Sequence, residues 1–347
     1  MEQLFVGLVG CGYIAPTHLL AWEKISGAKV VAVCDSLIER AKKLAEQFGI
    51  NAVYQNYVEM FEKENLNVVD IAAPIDTHAE IAISAARSRM HVLCQKPFAR
   101  TIDEAKAIIA ASSRSKVKLM VHQNFRYQPF PQHLKRMIEK NELGQIFYCR
   151  IFHRIQFNPN ILPIASRGNE KIAMSHLPYY LTNKQLVLLN MVIHHLDTAR
   201  FLFGEPIRIY VNTRQVNPRS GGEDHVVYLL EYQNMVCYIE ESWVTKAEEQ
   251  IGIRLEGTDG TIEIMNEDFH HWKSDGACEQ HSLSKLFPGI TMQTLDNYSF
   301  KLVQQHFVDC IVNDKIPQTN GDDNLKTLNL VFKGYESARI HQVLELN

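Results

Sequence analysis

The chain has 347 residues, of which 46% are hydrophobic and 22% charged, and its formal net charge is −3. This length supports about two domains. The near-neutral balance predicts no nucleic-acid partner and no polybasic membrane patch. Met1-Glu2-Gln3 lacks the basic residues of a signal peptide, and no stretch approaches the roughly 20 apolar residues of a membrane helix. Seven cysteines are scattered singly, as is typical of reduced thiols, so we predict a cytoplasmic protein.

The N-terminal part of the chain alternates short apolar segments with helical patterns. Strands are predicted at Leu4–Gly10, Lys29–Asp35, Val68–Ala73, His91–Cys94 and Lys118–His122. Their continuous apolar character is typical of strands that are covered on both faces. Between them, Ser36 is predicted to cap a helix that runs to Phe48, and Thr101 to begin a capping box for a helix over Ala105–Ser112. This alternation predicts an α/β Rossmann domain with a parallel, doubly wound sheet over residues 1–123.

After Arg126 the pattern becomes mixed. The elements predicted there are the helix Pro131–Asn141, the strand Gln145–Arg154, the helix Leu188–Phe203, the β-segments Ile207–Arg214, His225–Tyr232, Met235–Trp243 and Ile251–Ile264, and the helices Tyr298–Asn313 and Leu325–Val343. Gln233-Asn234 and Asp259-Gly260 favour tight turns between neighbouring strands. Residues 124–347 are therefore predicted to form an α+β domain with a large, open, mainly antiparallel sheet. Such a sheet needs a cover, so we expect a homodimer or homotetramer.

A glycine-rich turn follows the first predicted strand and precedes a helix. Gly10 permits the tight turn, Gly12 lets the backbone approach a pyrophosphate, and Ala15 keeps the helix close to the strand. Asp35 ends the second strand, where it can accept hydrogen bonds from ribose hydroxyls and repel a 2′-phosphate. The predicted cofactor contacts of this region are Gly10, Gly12, Tyr13, Ile14 and Asp35. The pattern favours NAD as cofactor over NADP, and the alternative is a strand-to-helix turn without a ligand.

Two further groups of residues carry reactive side chains. Lys96, within Gln95-Lys96-Pro97, follows the predicted strand His91–Cys94 at the edge of the sheet where α/β proteins bind ligands. His194, His195 and Asp197 lie on the Leu188–Phe203 helix. The alternative for Lys96 is a solvated surface lysine without a catalytic role. The alternative for the histidines is a helix whose polar face simply pairs histidine with aspartate. Because no further ligand cluster accompanies His194 and Asp197, we predict no metal site.

Several segments together resemble the GFO/IDH/MocA oxidoreductases, a family that includes glucose–fructose oxidoreductase and inositol dehydrogenases. The resemblance spans nearly the whole chain. In family order it rests on Gly10-Cys-Gly-Tyr-Ile-Ala15, Ala73-Pro74 with His78, Gln95-Lys96-Pro97, Asn124-Phe-Arg126, the His194…Asp197 helix that ends in Phe203-Gly204, and Gly257-Thr-Asp-Gly260. It implies an enzyme that transfers a hydride between NAD and a secondary alcohol or ketone of a sugar, cyclitol or sugar derivative. It further implies cofactor contacts at Ala73, Pro74, His78, Gln95, Lys96, Asn124 and Arg126.

The family's catalytic residues carry over with two departures. The lysine of its E-K-P motif corresponds to Lys96, and the histidine of its Asp-x-x-x-His pair corresponds to His194. Gln95 replaces the glutamate of E-K-P, and Asn190 replaces the aspartate of the pair. An amide can orient the histidine but cannot accept its proton. We therefore expect Lys96 and His194 to manage the alcohol proton, with Asn190 holding the imidazole.

The substrate contacts and the class of function leave alternatives open. The poorly patterned segment from Ile155 to Gln185, together with the neighbouring helix, offers the candidate substrate contacts Arg167, His176, Tyr179, Lys184 and His195. One alternative function is an NAD-retaining glycosidase that oxidises its sugar transiently. The other is a non-catalytic sensor of NAD and sugar, which the Asn190 departure favours and the joint presence of Lys96 and His194 opposes.

Overall fold

The computed structural model of the protein describes residues 3–156, 162–163, 171–172, 181–292 and 294–346. The chain forms two compact units, one of Met1–Tyr127 with Asn297–Asn329, the other of Gln128–Asp296 with Leu330–Asn347. This division differs from the predicted one at residues 123 and 124, because a C-terminal segment returns to the first unit. No helix among the described residues is both long and apolar enough to span a membrane.

The first unit contains a parallel six-stranded sheet. Its strands are β1 (Leu4–Val9), β2 (Ala28–Cys34), β3 (Ala52–Tyr54), β4 (Val68–Ile71), β5 (His91–Gln95) and β6 (Leu119–His122). Its helices in the N-terminal part are α1 (Ala15–Trp22), α2 (Ile38–Phe48), α3 (Tyr57–Lys63), α4 (Ile75–Arg87) and α5 (Ile102–Ser115). The strand order is 3-2-1-4-5-6, so the order reverses between β1 and β4, the place where such sheets bind dinucleotides. The predicted α/β Rossmann architecture is confirmed, with β3 as an additional strand.

The helix starts show one correct and one wrong prediction about capping. Thr101 is the N-cap of α5, and its hydroxyl accepts a hydrogen bond from the Glu104 N–H at 3.1 Å, as predicted. Ser36 does not cap α2, whose N-cap is Leu37. Asp35 takes part in this turn instead, since its Oδ1 accepts from the Leu37 N–H at 2.8 Å. A carboxylate one residue earlier thus replaces the hydroxyl that the local pattern favoured.

The C-terminal segment belongs to the first unit because of its apolar side chains. The helices α9 (Leu295–Val312) and α10 (Gly321–Ile340) cross the unit boundaries, and α8 (Leu283–Leu286) precedes them. Val303 and Phe307 of α9 are fully buried in one cluster with Val68 and Leu93 of the parallel sheet. Burying one such side chain stabilises the fold by about 1.5–3 kcal/mol. Apolar periodicity marks α9 as a helix but does not identify the sheet that it covers.

The second unit is built on a nine-stranded sheet. Its strands are β7 (Ile146–Arg154), β10 (Arg208–Arg214), β11 (His225–Glu231), β12 (Val236–Ser242), β13 (Gln250–Gly257), β14 (Gly260–Met265), β15 (Asp268–Lys273), β16 (Cys278–Ser282) and β17 (Leu344–Glu345). The order is β16-β15-β14-β13-β7-β12-β11-β10-β17, and β7 with β12 is the parallel pair in an otherwise antiparallel sheet. A separate two-stranded sheet pairs β8 (Leu162–Pro163) with β9 (Lys171–Ile172). The large, mainly antiparallel sheet is as predicted.

Two helices of the second unit are relevant to His194, and one of them contains it. The helix α6 spans Pro129–Glu139, and α7 spans Ile193–Phe203. A π-helical turn over Leu188–Val192 leads directly into α7. Gly204 ends α7 with φ +84°, a conformation that favours glycine. The predicted helix Leu188–Phe203 is therefore present, but its first turn is wider than an α-helical one.

Candidate active site

The turn between β1 and α1 has the shape that a dinucleotide needs. Gly10 has φ +97°, and a Cβ there would lie 2.5 Å from the Ala72 and Ala73 backbone, so only glycine fits. A Cβ at Gly12 would meet no atom within 4 Å, which leaves room above the backbone. The N-cap of α1, Ile14, makes no side-chain capping bond. The Ala15 and Thr17 N–H groups bond Gly12 O and Ile14 O at 3.3 and 3.0 Å, and Pro16 has no N–H. The donors for a pyrophosphate must therefore come from the glycine-rich turn that precedes α1.

Asp35 lies beside this turn and is largely buried. Its Oδ2 accepts from the Cys11 N–H at 2.8 Å, in addition to the bond from Leu37 to Oδ1. Each carboxylate oxygen retains a second lone pair for a ribose hydroxyl. The carboxylate also opposes a charge on Cys11, since burial and then Asp35 raise the pKa of that thiol to about 12. Asp35 therefore orders the glycine-rich turn as well as offering acceptors to a nucleoside.

The loops after β4 and β5 are joined by a buried histidine. His78 lies on α4, and its ring nitrogens lie 2.9 Å from Ala73 O and 3.0 Å from Pro97 O. Burial lowers the pKa of His78, although both carbonyl contacts act in the opposite direction. The predicted contact residues Ala73, Pro74 and Lys96 thus lie on loops whose spacing His78 sets, and the Lys96–Pro97 bond is cis. His78 itself is buried, so the structure gives it a supporting position.

The residues after β6 are held by the C-terminal segment of the same unit. The Asn124 amide donates to Ser299 Oγ at 3.0 Å. The Arg126 guanidinium donates to Asp323 Oδ2 at 3.0 Å. Both Asn124 and Arg126 are buried. Asn124 and Arg126, both predicted cofactor contacts, are therefore already hydrogen-bonded to side chains of α9 and α10.

In the second unit, His194 and Asn190 lie on either side of the change from π-helical to α-helical backbone. His194 is on α7 and nearly buried, whereas Asn190 is in the π-helical turn and half-buried. The Asn190 amide donates to Leu186 O, four residues back, at 2.6 Å. Its Oδ1 is the atom that suits an imidazole N–H. That Asn190 holds His194 stays a prediction.

His195 has a role in the sheet that the sequence did not indicate. Its Nε2 lies 3.0 Å from Glu241 Oε2. The same fully buried carboxylate contacts His153 Nδ1 at 2.5 Å and accepts from the Trp243 indole N–H at 2.8 Å. Burial disfavours the charged form of both His153 and Glu241. The Glu241 carboxylate nevertheless raises the pKa of His153, and the two histidines lower the pKa of Glu241. This contact engages one nitrogen of His195 with β12, and its predicted use as a substrate contact stays a prediction.

The start of the π-helical turn is capped by Glu223. Its Oε1 accepts from the backbone N–H groups of Leu186 and Leu188, both at 3.0 Å, and from the Tyr335 hydroxyl at 2.7 Å. A charged acceptor at a helix start satisfies donors that would otherwise lack partners. No local capping pattern reveals Glu223, because it lies more than 30 residues beyond the helix that it caps.

The remaining predicted site residues are only partly described. Arg167, His176 and Tyr179 lie outside the described residues. Lys184 is described and exposed. Within the described ranges, no group of three histidine, cysteine, aspartate or glutamate side chains is arranged to hold a metal ion.

Comparison with known proteins places this geometry in a family. The family model described as "Oxidoreductase family, NAD-binding Rossmann fold" matches residues 4–123, and the "GFO/IDH/MocA C-terminal domain" matches residues 132–263. A D-apiose dehydrogenase of Paraburkholderia graminis is 32% identical over 98% of this chain and 88% of its own length. The chain belongs to the GFO/IDH/MocA oxidoreductase family. The resemblance seen in the sequence motifs is therefore confirmed.

Further members of the family match over almost their entire length. A D-apiose dehydrogenase of Rhizobium rhizogenes is 30% identical over 97% of this chain and 96% of its own. An oxidoreductase from Agrobacterium radiobacter, solved in complex with NAD+, L-tartaric acid and magnesium, is 30% identical, with a TM-score of 0.89 and coverage of 99% and 98%. The first unit of this GFO/IDH/MocA protein fits a dinucleotide on its own geometry, through the open space over Gly12 and the remaining lone pairs of Asp35.

Proposed function

We propose that this protein is an NAD-dependent dehydrogenase that oxidises a hydroxyl-bearing carbon of a small sugar, cyclitol or sugar derivative. Bound NAD supplies the chemistry of hydride acceptance, and the protein positions the reacting carbon and moves the alcohol proton. The observation that carries the proposal is Lys96. It stands in the family's E-K-P position at the carboxyl end of β5, with its backbone N–H bound to Gln95 at 2.7 Å.

The residue roles follow from side-chain chemistry. Lys96 polarises the substrate oxygen, because an ammonium group stabilises the negative charge that develops as the O–H proton leaves. His194 is the general base or acid, since imidazole exchanges protons near neutral pH. Asn190 orients the imidazole through Oδ1. The backbone around Gly10 and Gly12 holds the cofactor phosphates, and Asp35 holds the adenosine ribose.

The relatives narrow the choice of substrates to test. Two D-apiose dehydrogenases match nearly the whole chain, which supports D-apiose as the first candidate. A scyllo-inositol 2-dehydrogenase of Bacillus subtilis, 26% identical over 94% of the chain, supports inositols as the second. L-Tartaric acid, present in the Agrobacterium radiobacter complex, tests whether a hydroxy acid is accepted.

The test measures NADH formation at 340 nm from NAD and each candidate. We expect turnover of at least one sugar or cyclitol, and its loss in Lys96→Met. Cleavage of a glycoside without net NADH would assign the protein to the glycosidase alternative. Binding of NAD and sugar without either reaction would support the sensor alternative.

We also propose that the protein forms a homodimer or homotetramer through the nine-stranded sheet. Leu229 and Val236 are each more than one-third exposed on neighbouring strands, and Tyr238 lies opposite Leu229 in the register. The same face carries the Arg150–Glu240 ion pair, and its exposed apolar side chains favour a cover by a second copy. Sedimentation equilibrium of wild type and of Leu229→Lys tests this, since the variant should dissociate. A cytoplasmic location is the corresponding proposal for the cell, supported by seven free cysteines.

A further inference from the structure

A continuous chain of hydrogen bonds runs through the interior of the first unit to the backbone of Lys96. Asp70 Oδ2 accepts from the Trp22 indole N–H at 2.7 Å and lies 2.8 Å from His18 Nδ1. His18 Nε2 lies 3.1 Å from Gln95 Nε2, and Gln95 Oε1 accepts from the Lys96 N–H at 2.7 Å. Asp70 and His18 are completely buried, and Gln95 nearly so. We refer to Asp70, His18 and Gln95 as the relay.

The direction of every bond in the relay is fixed from its two ends. The Lys96 backbone N–H can only donate, so the oxygen of the Gln95 amide must face it. The amide nitrogen then faces His18 and donates to Nε2, which must carry a lone pair. The ring proton therefore lies on Nδ1 and is donated to the Asp70 carboxylate. The geometry thus specifies one tautomer of an uncharged His18.

The surroundings of His18 exclude water and other charges from the relay. Its ring lies 4.7 Å from the His122 ring and 5.1 Å from that of Phe300, measured between centroids, with Phe300 edge-on. Its backbone oxygen accepts from the Gln304 amide at 3.2 Å. Burial places the pKa of His122 well below its ordinary value, so that ring is neutral. A mispaired group in such an interior has no water to compensate for it.

From this arrangement we propose that Asp70 and His18 are positioning residues for Lys96. They hold the Gln95 amide in one orientation, and the amide fixes the backbone from which the lysine side chain extends. The proposal rests on the proposed function, because it matters for the reaction only if Lys96 acts on the substrate. It assigns a purpose to the side chains of two buried polar residues of the Rossmann core.

The relay also explains why glutamine suits position 95 in this chain. A glutamate at that position could accept from the Lys96 N–H, but its second oxygen could only accept from His18. His18 Nε2 would then need a proton while Nδ1 still donates to Asp70, so the ring would become a cation between two carboxylates. Gln95 avoids this buried charge. The amide and the neutral tautomer are therefore matched to each other.

The tautomer is tested by nuclear magnetic resonance of the full-length protein with 15N-labelled histidine. The His18 signals are assigned by their absence in His18→Phe. At neutral pH we expect protonated Nδ1 and unprotonated Nε2 in wild type, and both nitrogens protonated in Gln95→Glu. A proton on Nε2 in wild type, or an unchanged ring in Gln95→Glu, would overturn the relay. This readout needs no substrate, so it stands even if no turnover is found.

The positioning role is tested by kinetics on the best substrate. His18→Phe keeps a ring of similar size but cannot bond Gln95 or Asp70, and we expect kcat to fall by about 10-fold or more through misplacement of Lys96. Affinity for NAD should change by less than about twofold, because the interaction acts on the reaction step. Asp70→Asn retains an acceptor for His18 and should keep most of kcat, whereas Asp70→Leu should resemble His18→Phe.

A matched control separates positioning from general loss of stability. Tyr228→Phe removes a buried hydrogen bond of 2.7 Å to Leu330 O in the second unit and should leave kcat unchanged. Wild-type kcat in His18→Phe, or equal losses in Asp70→Asn and Asp70→Leu, would remove the positioning role. If wild type turns over no candidate, the proposed function fails by itself. A shift of the Lys96 amide resonance in His18→Phe then supports the relay, and an unmoved resonance overturns it.

Discussion

The two units support the segments that carry their proposed catalytic residues by different electrostatic means. In the first unit, Lys96 is anchored through the uncharged amide of Gln95 and the imidazole of His18, with the charge confined to Asp70 at the far end. In the second unit, the neighbour of His194, His195, contacts Glu241, whose carboxylate is shared with His153. The first arrangement depends on the direction of hydrogen bonds. The second depends on ionisation, and we therefore expect the two to differ in their response to pH.

The largest expected effect comes from removing the cation at the end of the first arrangement. Lys96→Met should lower kcat by about 10²–10⁴-fold, because it removes charge stabilisation and proton handling from the reaction step. The fold and most of the NAD affinity should be retained, as checked by circular dichroism and calorimetric titration. Lys315→Met, at an exposed lysine of the same unit that belongs to no predicted site, is the control. Retention of more than half of wild-type kcat on a genuine substrate would reduce Lys96 to a surface residue.

Glu241→Gln tests the ionic arrangement in the second unit. Removing one partner of a buried charge pair costs about 3–5 kcal/mol. The pKa of His153 is raised, so its contribution to the free energy of unfolding is present at low pH and is lost as the pH rises through that pKa. The pKa of Glu241 is lowered, so its contribution to the free energy of unfolding is lost as the pH falls through that pKa. Glu241→Gln should therefore lower the free energy of unfolding most between about pH 4.5 and 6.5, and less at pH 9.

Urea unfolding of wild type and Glu241→Gln at pH 6 and pH 9 measures this difference. The control is Glu256→Gln, which breaks a partly exposed pair with Arg254 on the same sheet. Because arginine does not titrate in this range, the control should cost no more than about 1 kcal/mol at either pH. An equal loss of unfolding free energy in Glu241→Gln at both pH values would show that the Glu241 charge does not stabilise the protonated histidines.

Asp35 gives a smaller effect, on the choice of cofactor in the first unit. NAD should bind at least about 10-fold more tightly than NADP, because placing a phosphate against the carboxylate costs more than about 1.4 kcal/mol. Asp35→Asn should narrow this ratio while retaining one acceptor for the Cys11 N–H. Calorimetric titration of both oxidised cofactors measures it. Equal or tighter binding of NADP to wild type would show that Asp35 does not discriminate between the ribose hydroxyl of NAD and the 2′-phosphate of NADP.

The smallest expected effect concerns Asn190, where the second unit departs from the family pattern. A carboxylate at this position favours the charged imidazole of His194, which a neutral amide does not. Asn190→Asp should therefore remain active and move the rise of kcat/KM with pH to higher pH, while His194→Ala loses activity. An unchanged pH profile in an active Asn190→Asp variant would move the base role to Lys96 or His195. Activity that appears only in Asn190→Asp would instead support the sensor alternative.

Local patterns in the sequence determined most of the first unit and indicated its candidate reactive residues. Five of the six parallel strands, the Thr101 cap and the glycine-rich turn depend on neighbours within a few residues, and these were predicted. The motifs around Lys96 and His194 also identified the family, because they recur in a fixed order along the chain. Short-range rules sufficed here because turns, caps and buried strands are set by local backbone geometry and apolar runs.

Only the tertiary structure decided which distant side chains support those residues. Gln95 and His18 are 77 positions apart, His195 and Glu241 are 46 apart, and Asn124 and Ser299 are 175 apart. No sequence period links such pairs, since the contact depends on which strands and helices pack side by side. The return of Asn297–Asn329 to the first unit has the same origin, because an apolar helix face fits any apolar surface until the fold selects one. The hydrophobic effect that drives this packing is non-directional, so the sequence specifies burial while the assembled fold specifies the partner.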